Sequence, residues 1–117
     1  MKAQNRQTGR LAEDMAVNAL IKKGFQILER NFNNRFGEID IIAKDKNTLV
    51  FVEVKAKKGE EFGMPEEMVN RYKLQKIRNM ATIYTKGKSM LCRIDVVAIV
   101  LSATNDILRL NHYENVV

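Results

Sequence analysis

GEIDIIAKDKNTLVFVEVKAKKG, residues 37–59, holds two runs rich in β-branched residues joined by the polar tract KDKN, a pattern that reads as a β-hairpin. Side chains on a strand alternate faces. Val50, Val52 and Val54 therefore share one face of the second strand, and Phe51, Glu53 and Lys55 the other. On the first strand Ile39, Ile41 and Ala43 point one way and Glu38, Asp40 and Ile42 the opposite way. Loop length decides how these faces meet. With Lys46 and Asn47 as the loop and Asp45 opposite Thr48, Asp40 lies directly across from Glu53. One more loop residue would pair Asp40 with Val52 and set the valines against the acidic face, so the hydrophobic pattern favours the even loop.

Two carboxylates opposed on adjacent strands repel unless a cation lies between them. Converging carboxylate oxygens are what Mg²⁺ or Mn²⁺ binds, with water and substrate phosphates completing the octahedron. Lys55 would then stand beside the ion, where an ammonium holds an attacking water or offsets charge on a phosphoryl oxygen. A half-exposed sheet on which Lys55 merely neutralises the acids accounts for the same spacing. Two helical residues add to the pattern. Glu13 has Val17 and Leu20 at i+4 and i+7, at the edge of a buried stripe, and Lys73 shares a face with Ile77, Met80 and Tyr84. Taken singly, each would reach out to water. Together they bring an acid and a base toward a hairpin that already carries two acids and a lysine.

Around the hairpin, TGRLAEDMAVNALIKK predicts a helix over residues 8–23, stopped by Gly24, and FQILERNF predicts a short strand. MPEEMVNRYKLQKIRNMATIYTKG predicts a second long helix, with Pro65, Glu66 and Glu67 at its start and Gly87 at its end. LCRIDVVAIVL reads as a nearly all-apolar central strand, and ILRLNHY as an edge strand after the SATND turn. The order is αβββαββ, in one domain over residues 1–117.

The hydrophobic fraction of 45% and charged fraction of 29% argue against a disordered chain. Twenty Lys and Arg against 14 Asp and Glu leave a net charge of +6, unevenly spread: residues 68–94 hold seven bases and no acid. Such a surface suits an anionic polymer. With no tryptophan, three tyrosines and five phenylalanines, little is left for a base-stacking platform of the single-strand-binding kind, so duplex or branched DNA is the expected partner. The lone Cys92 alternates with Ile94, Val96 and Ala98 and is expected to be buried, in a reduced, cytoplasmic setting without membrane segment or export signal. His112 stands alone near the C-terminus and is expected at the surface; no Ser-His or Cys-His nucleophile, phosphate loop or zinc-ligand spacing is present.

The helix with Glu13, then GEID with Asp40, then EVK with Glu53 and Lys55, resembles the PD-(D/E)XK nuclease superfamily. Across nearly the whole chain GRLAEDMA, RNFNNRFGEIDIIA, LVFVEVKAK, FGMPEEMV and RIDVVAI resemble, in order, the YraN-like (UPF0102) family of small bacterial proteins, similar to archaeal Holliday junction resolvases. Lys57 stands where that family often has arginine and Ile94 where it often has phenylalanine. The resemblance implies a restriction-endonuclease-like α/β core, a mixed four- or five-stranded sheet flanked by helices, and Mg²⁺- or Mn²⁺-dependent hydrolysis of DNA phosphodiesters. Carried over, Asp40 and Glu53 would bind metal, Glu13 would complete the acidic cluster directly or through water, Lys55 would assist the nucleophilic water and Lys73 would contact phosphate. Lys57, Lys58, Lys76 and Arg78 would supply further backbone contacts. A homodimer would match the two-fold symmetry of a branched junction, although the sequence neither requires nor excludes one. The alternative is a nucleic-acid-binding protein that keeps the endonuclease-like fold without cleaving.

Overall fold

The computed structural model describes residues 2–59 and 70–116. Helix α1 (Lys2–Lys22) leads into β1 (Gln26–Asn34), β2 (Gly37–Asp45) and β3 (Thr48–Lys58); α2 (Arg71–Thr85) precedes β4 (Cys92–Leu101) and β5 (Ile107–Tyr113). The five strands form one open sheet in the order β1-β2-β3-β4-β5. Hairpins make every pair antiparallel except β3 and β4, whose parallel pairing needs the crossover that contains α2. The mixed sheet with two helices, in the order αβββαββ, is the expected architecture.

Each helix buries its apolar stripe on a different face. Ala12, Ala16 and Leu20 of α1 pack with Ile41, Val50, Val52, Val97 and Ile99. Ile77 and Met80 of α2 pack with Ile39, Ile42, Phe51 and Ile94. Covered on both sides, β4 is buried continuously from Ile94 to Leu101, which is why its sequence shows no alternation. Hairpin β2–β3 turns through Lys46 and Asn47 and pairs Asp45 with Thr48 and Ile41 with Val52, the even-loop register.

Several expectations need correction. Helix α1 begins at Lys2, ahead of Thr8, because five of the six residues of KAQNRQ are good helix formers and a Thr N-cap imposes no stop on them. Helix α2 is capped by Asn70, whose side chain accepts the Lys73 amide at 3.0 Å; the start foreseen at Pro65 lies outside the described residues. Cys92 is exposed: its alternation with Ile94 holds, but it opens β4 at the end of the sheet, where helix cover has stopped. Ile39 joins the α2-side cluster although Ile41 belongs to the α1 side, so β2 rotates between them, at Asp40.

Candidate active site

That rotation positions the site. In the β1 ladder the pairs run from Arg30–Ile41 to Phe32–Ile39, and in the β3 ladder they end at Ile41–Val52, so Asp40 takes part in neither. Its β1 neighbour Asn31 has φ 54°, a left-handed conformation that asparagine tolerates better than most residues. Freed from the ladder, Asp40 accepts the Val54 amide on its own Oδ2 at 2.8 Å. A side-chain carboxylate thus takes the place of a backbone carbonyl, held against the strand that carries Glu53.

Glu53 is 6% exposed. Its Oε2 receives Lys73 Nζ at 2.7 Å and lies 3.3 Å from Lys55 Nζ. Asp40 and Glu53 come within hydrogen-bonding reach of each other. Burial and then the adjacent Glu53 push Asp40 up to about 8, against the opposing pull of the Val54 amide. For Glu53 burial also opposes ionisation, but the hydrogen bond and charge of Lys73 outweigh it and hold this carboxyl below its usual range. Burial, then Lys73, lowers the Lys55 ammonium; burial also opposes the Lys73 charge, but its interactions with Glu53, Lys55 and Asp40 together outweigh it and leave Lys73 raised. One carboxyl is therefore kept ionised by two ammoniums while its neighbour is pressed to hold a proton.

The pair opens into a cleft of about 220 Å³ lined by Glu38, Asp40, Glu53, Lys73, Lys76 and Met80. Two carboxyls on adjacent strands, hard oxygen donors facing an open cleft, form a donor set that fits Mg²⁺ or Mn²⁺, which take one or two protein carboxylates and keep several waters. Glu13 stands elsewhere. It is 8% exposed, and its Oε1 receives Arg30 Nε at 3.2 Å and Asn31 Nδ2 at 3.0 Å, both from β1. Among the described residues no three Asp, Glu, His or Cys side chains gather around one ion position. Lys73 contacts Glu53 in this structure, while Lys58, Lys76 and Arg78 are exposed and Lys57 is half-buried on the same strand as Glu53. A second cleft of about 330 Å³, between Arg78, Lys88, Cys92 and Arg93, shares no lining residue with the first.

A buried polar network escaped the sequence reading. Asp95 is fully buried and accepts Arg93 Nε at 3.0 Å and the Asn115 amide at 2.9 Å, with His112 Nε2 at 2.8 Å. Burial opposes its ionisation, but the bonds from His112 and Arg93 prevail and hold it below the ordinary range. The His112 side chain, 3% exposed, is a core group and not the surface residue expected. Lys23 Nζ lies 2.8 Å from its Nδ1, which makes Nδ1 the acceptor and leaves the Nε2 proton for Asp95. The available signal was one acid in the otherwise apolar run of residues 94–101.

The model of the uncharacterised protein family UPF0102 matches residues 12–99. A UPF0102 protein of Dictyoglomus turgidum is 41% identical over 114 residues, covering 95% of this chain and 97% of the relative. One of Caldicellulosiruptor bescii is 44% identical over 110 residues, covering 91% and 92%, and one of Persephonella marina 46% identical over 97 residues, covering 79% and 82%.

Proposed function

The chain belongs to the UPF0102 family, and from the geometry of its carboxylate–lysine cleft we propose that it is a metal-dependent endonuclease acting on DNA phosphodiesters, with branched DNA as the preferred substrate class. The observation that supports this most is the withdrawal of Asp40 from both ladders to meet Glu53, beside Lys55. A hairpin needing only stability has no use for two carboxyls at that spot.

Asp40 and Glu53 would hold Mg²⁺ or Mn²⁺, which when bound polarises a phosphoryl oxygen and lowers the pKa of a coordinated water. Lys55 would orient the attacking water and offset charge on the phosphoryl oxygens, its stem fixed by β3 and its ammonium already 3.3 Å from Glu53. Lys73, whose side chain is 41% exposed at the cleft, would exchange Glu53 for a phosphate of the bound strand. Lys76 and Arg78, exposed on the same helix, and Lys57 and Lys58 would track the flanking backbone, giving an affinity that falls steeply with salt. Glu13 would fix β1 beside the site through Arg30 and Asn31, reaching the ion only through water. A homodimer presenting two such clefts would suit a two-fold junction.

One observation favours the second reading, a non-cleaving DNA-binding protein: Lys73 and Lys55 already neutralise Glu53 within the chain. Cleavage of junction, flap and linear DNA with Mg²⁺ or Mn²⁺ separates the two. Scission that requires the ion and is lost, by roughly a hundred-fold or more, in Glu53→Ala and Lys55→Ala supports the nuclease. Salt-sensitive binding without scission supports the binding protein, and scission surviving both substitutions places the activity outside this cleft.

A further inference from the structure

Next to the carboxylate cleft lies a second concavity, of about 590 Å³, whose lining includes Phe36, Tyr72, Lys76, Asn79 and Ile83. Lys76 borders both. Phe36 is 55% exposed and Tyr72 72% exposed, unusual for large rings that could be packed inside. Each ring carries a cation: the Arg35 guanidinium lies 5.0 Å from the Phe36 centroid and Lys76 Nζ lies 5.4 Å from that of Tyr72. Both rings are chain neighbours of cleft residues, Phe36 of Gly37 and Tyr72 of Lys73.

Local structure holds them in place. Phe36 sits in the two-residue turn between the paired Asn34 and Gly37, and its amide is bonded by Asn34 Oδ1 at 2.8 Å. Tyr72 is in the first turn of α2, behind the Asn70 cap that also fixes the Lys73 amide. A ring on a capped helix and a ring on a tight turn lose little freedom when something stacks on them.

An aliphatic or protein partner would gain from bare apolar area, but cations laid over the rings put positive charge on the surface that such a partner would have to desolvate. A nucleotide uses both features, since its base stacks on an aromatic face and its phosphate meets the ammonium or guanidinium. We propose that Phe36 and Tyr72, with Arg35 and Lys76, form a stacking site for one or two unpaired nucleotides of the DNA strand whose backbone enters the Asp40–Glu53 cleft. Paired bases inside a duplex present no free face, so the site selects DNA with an unstacked base at the scissile region, such as a flap or branch point. Two exposed aromatic residues beside the cleft thus revise the expectation, drawn from composition, that little is left for stacking. The inference rests on the nuclease reading for the path of the strand, and its test requires no cleavage.

The test is binding in EDTA, measured by fluorescence anisotropy, of a flap oligonucleotide and a flush duplex of matched sequence, with 2-aminopurine at the branch to report stacking. Wild-type protein should prefer the flap and quench the probe. Phe36→Ala, Tyr72→Ala and the double variant should weaken flap binding by roughly ten-fold for the double variant, leave duplex binding within about two-fold, and abolish quenching. Phe36→Trp should restore quenching, and Phe36→Leu, which keeps apolar area without a π face, should not. Equal losses on both DNAs, full rescue by leucine, or no DNA binding at all overturns the proposal. Flap preference with quenching in a protein that never cleaves overturns the nuclease reading and leaves this site standing.

Discussion

Asparagine at position 40 tests the electrostatics of the cleft without changing its shape. In the neutral acid Asp40 Oδ2 accepts the Val54 amide and the carboxyl has a proton to offer Glu53; an amide side chain likewise carries one acceptor oxygen and an NH₂ donor. Asp40→Asn therefore mimics the protonated state and removes its titration. Burial and Glu53 raise Asp40 from 3.8 to about 8 in the folded chain. A carboxyl raised on folding contributes stability that is whole below its unfolded pKa and is lost as pH rises through the folded one, because the unfolded chain ionises first. The loss runs at about 1.4 kcal/mol per pH unit across that window, on the order of 4 kcal/mol by pH 7. The variant should be close to neutral near pH 4, more stable than wild type by about 4 kcal/mol at pH 7, and level off above about pH 8. Urea unfolding in EDTA at several pH values measures this directly. Adding Mg²⁺ or Mn²⁺ should then narrow the gap, since an ion bound only by the folded wild type stabilises only that protein. A difference that stays flat with pH, or a variant less stable than wild type near pH 8, refutes the reasoning.

Lys73→Met removes the ammonium that competes for Glu53 while keeping the stem; it should cost about 1–3 kcal/mol of stability without metal and tighten Mn²⁺ binding several-fold by calorimetry. Unchanged Mn²⁺ affinity would show that Lys73 and the ion do not share Glu53. Asp95→Asn should destabilise the fold by about 3–5 kcal/mol in thermal melts, because an amide turns one acceptor toward the donors Arg93, His112 and the Asn115 amide. Asp95 is held below its ordinary value, so its contribution is present above about pH 4 and lost as pH falls further; the variant should lack that share of the acid transition.

The hairpin was legible in the sequence because alternation and loop parity leave little choice: a one-residue slip would have set the valines of β3 against the acidic face of β2. The five strands and two helices followed from period and turn chemistry. What failed depended on the third dimension. No pattern announces that β2 rotates at Asp40, since the left-handed backbone beside it belongs to Asn31 on another strand. Glu13 was correctly placed near the buried edge of α1, but its partners Arg30 and Asn31 are set by how the helix crosses β1. His112 looked solitary because Asp95 and Lys23 are remote from it in sequence. For Cys92, periodicity reported the face correctly and was silent about where the helix cover ends.

Burial alone does not distinguish the two acidic centres of this sheet; their partners do. Asp95 is surrounded by fixed donors from β4, β5 and the C-terminal segment, and although burial opposes its charge the balance falls below the ordinary carboxylate range. Such a network is complete and has nothing to exchange. Asp40 has one amide and a carboxyl neighbour, and the balance falls the other way. On the proposed reading its place is for an occupant that can leave, a proton in the free protein or a cation instead, while Glu53 is held by Lys73, whose side chain is 41% exposed. Two acids of one sheet with opposite shifts, Asp95 fully buried and Asp40 half-buried, differ in that Asp40 lines the cleft, and on the proposed reading Asp40 is the one arranged to receive a ligand.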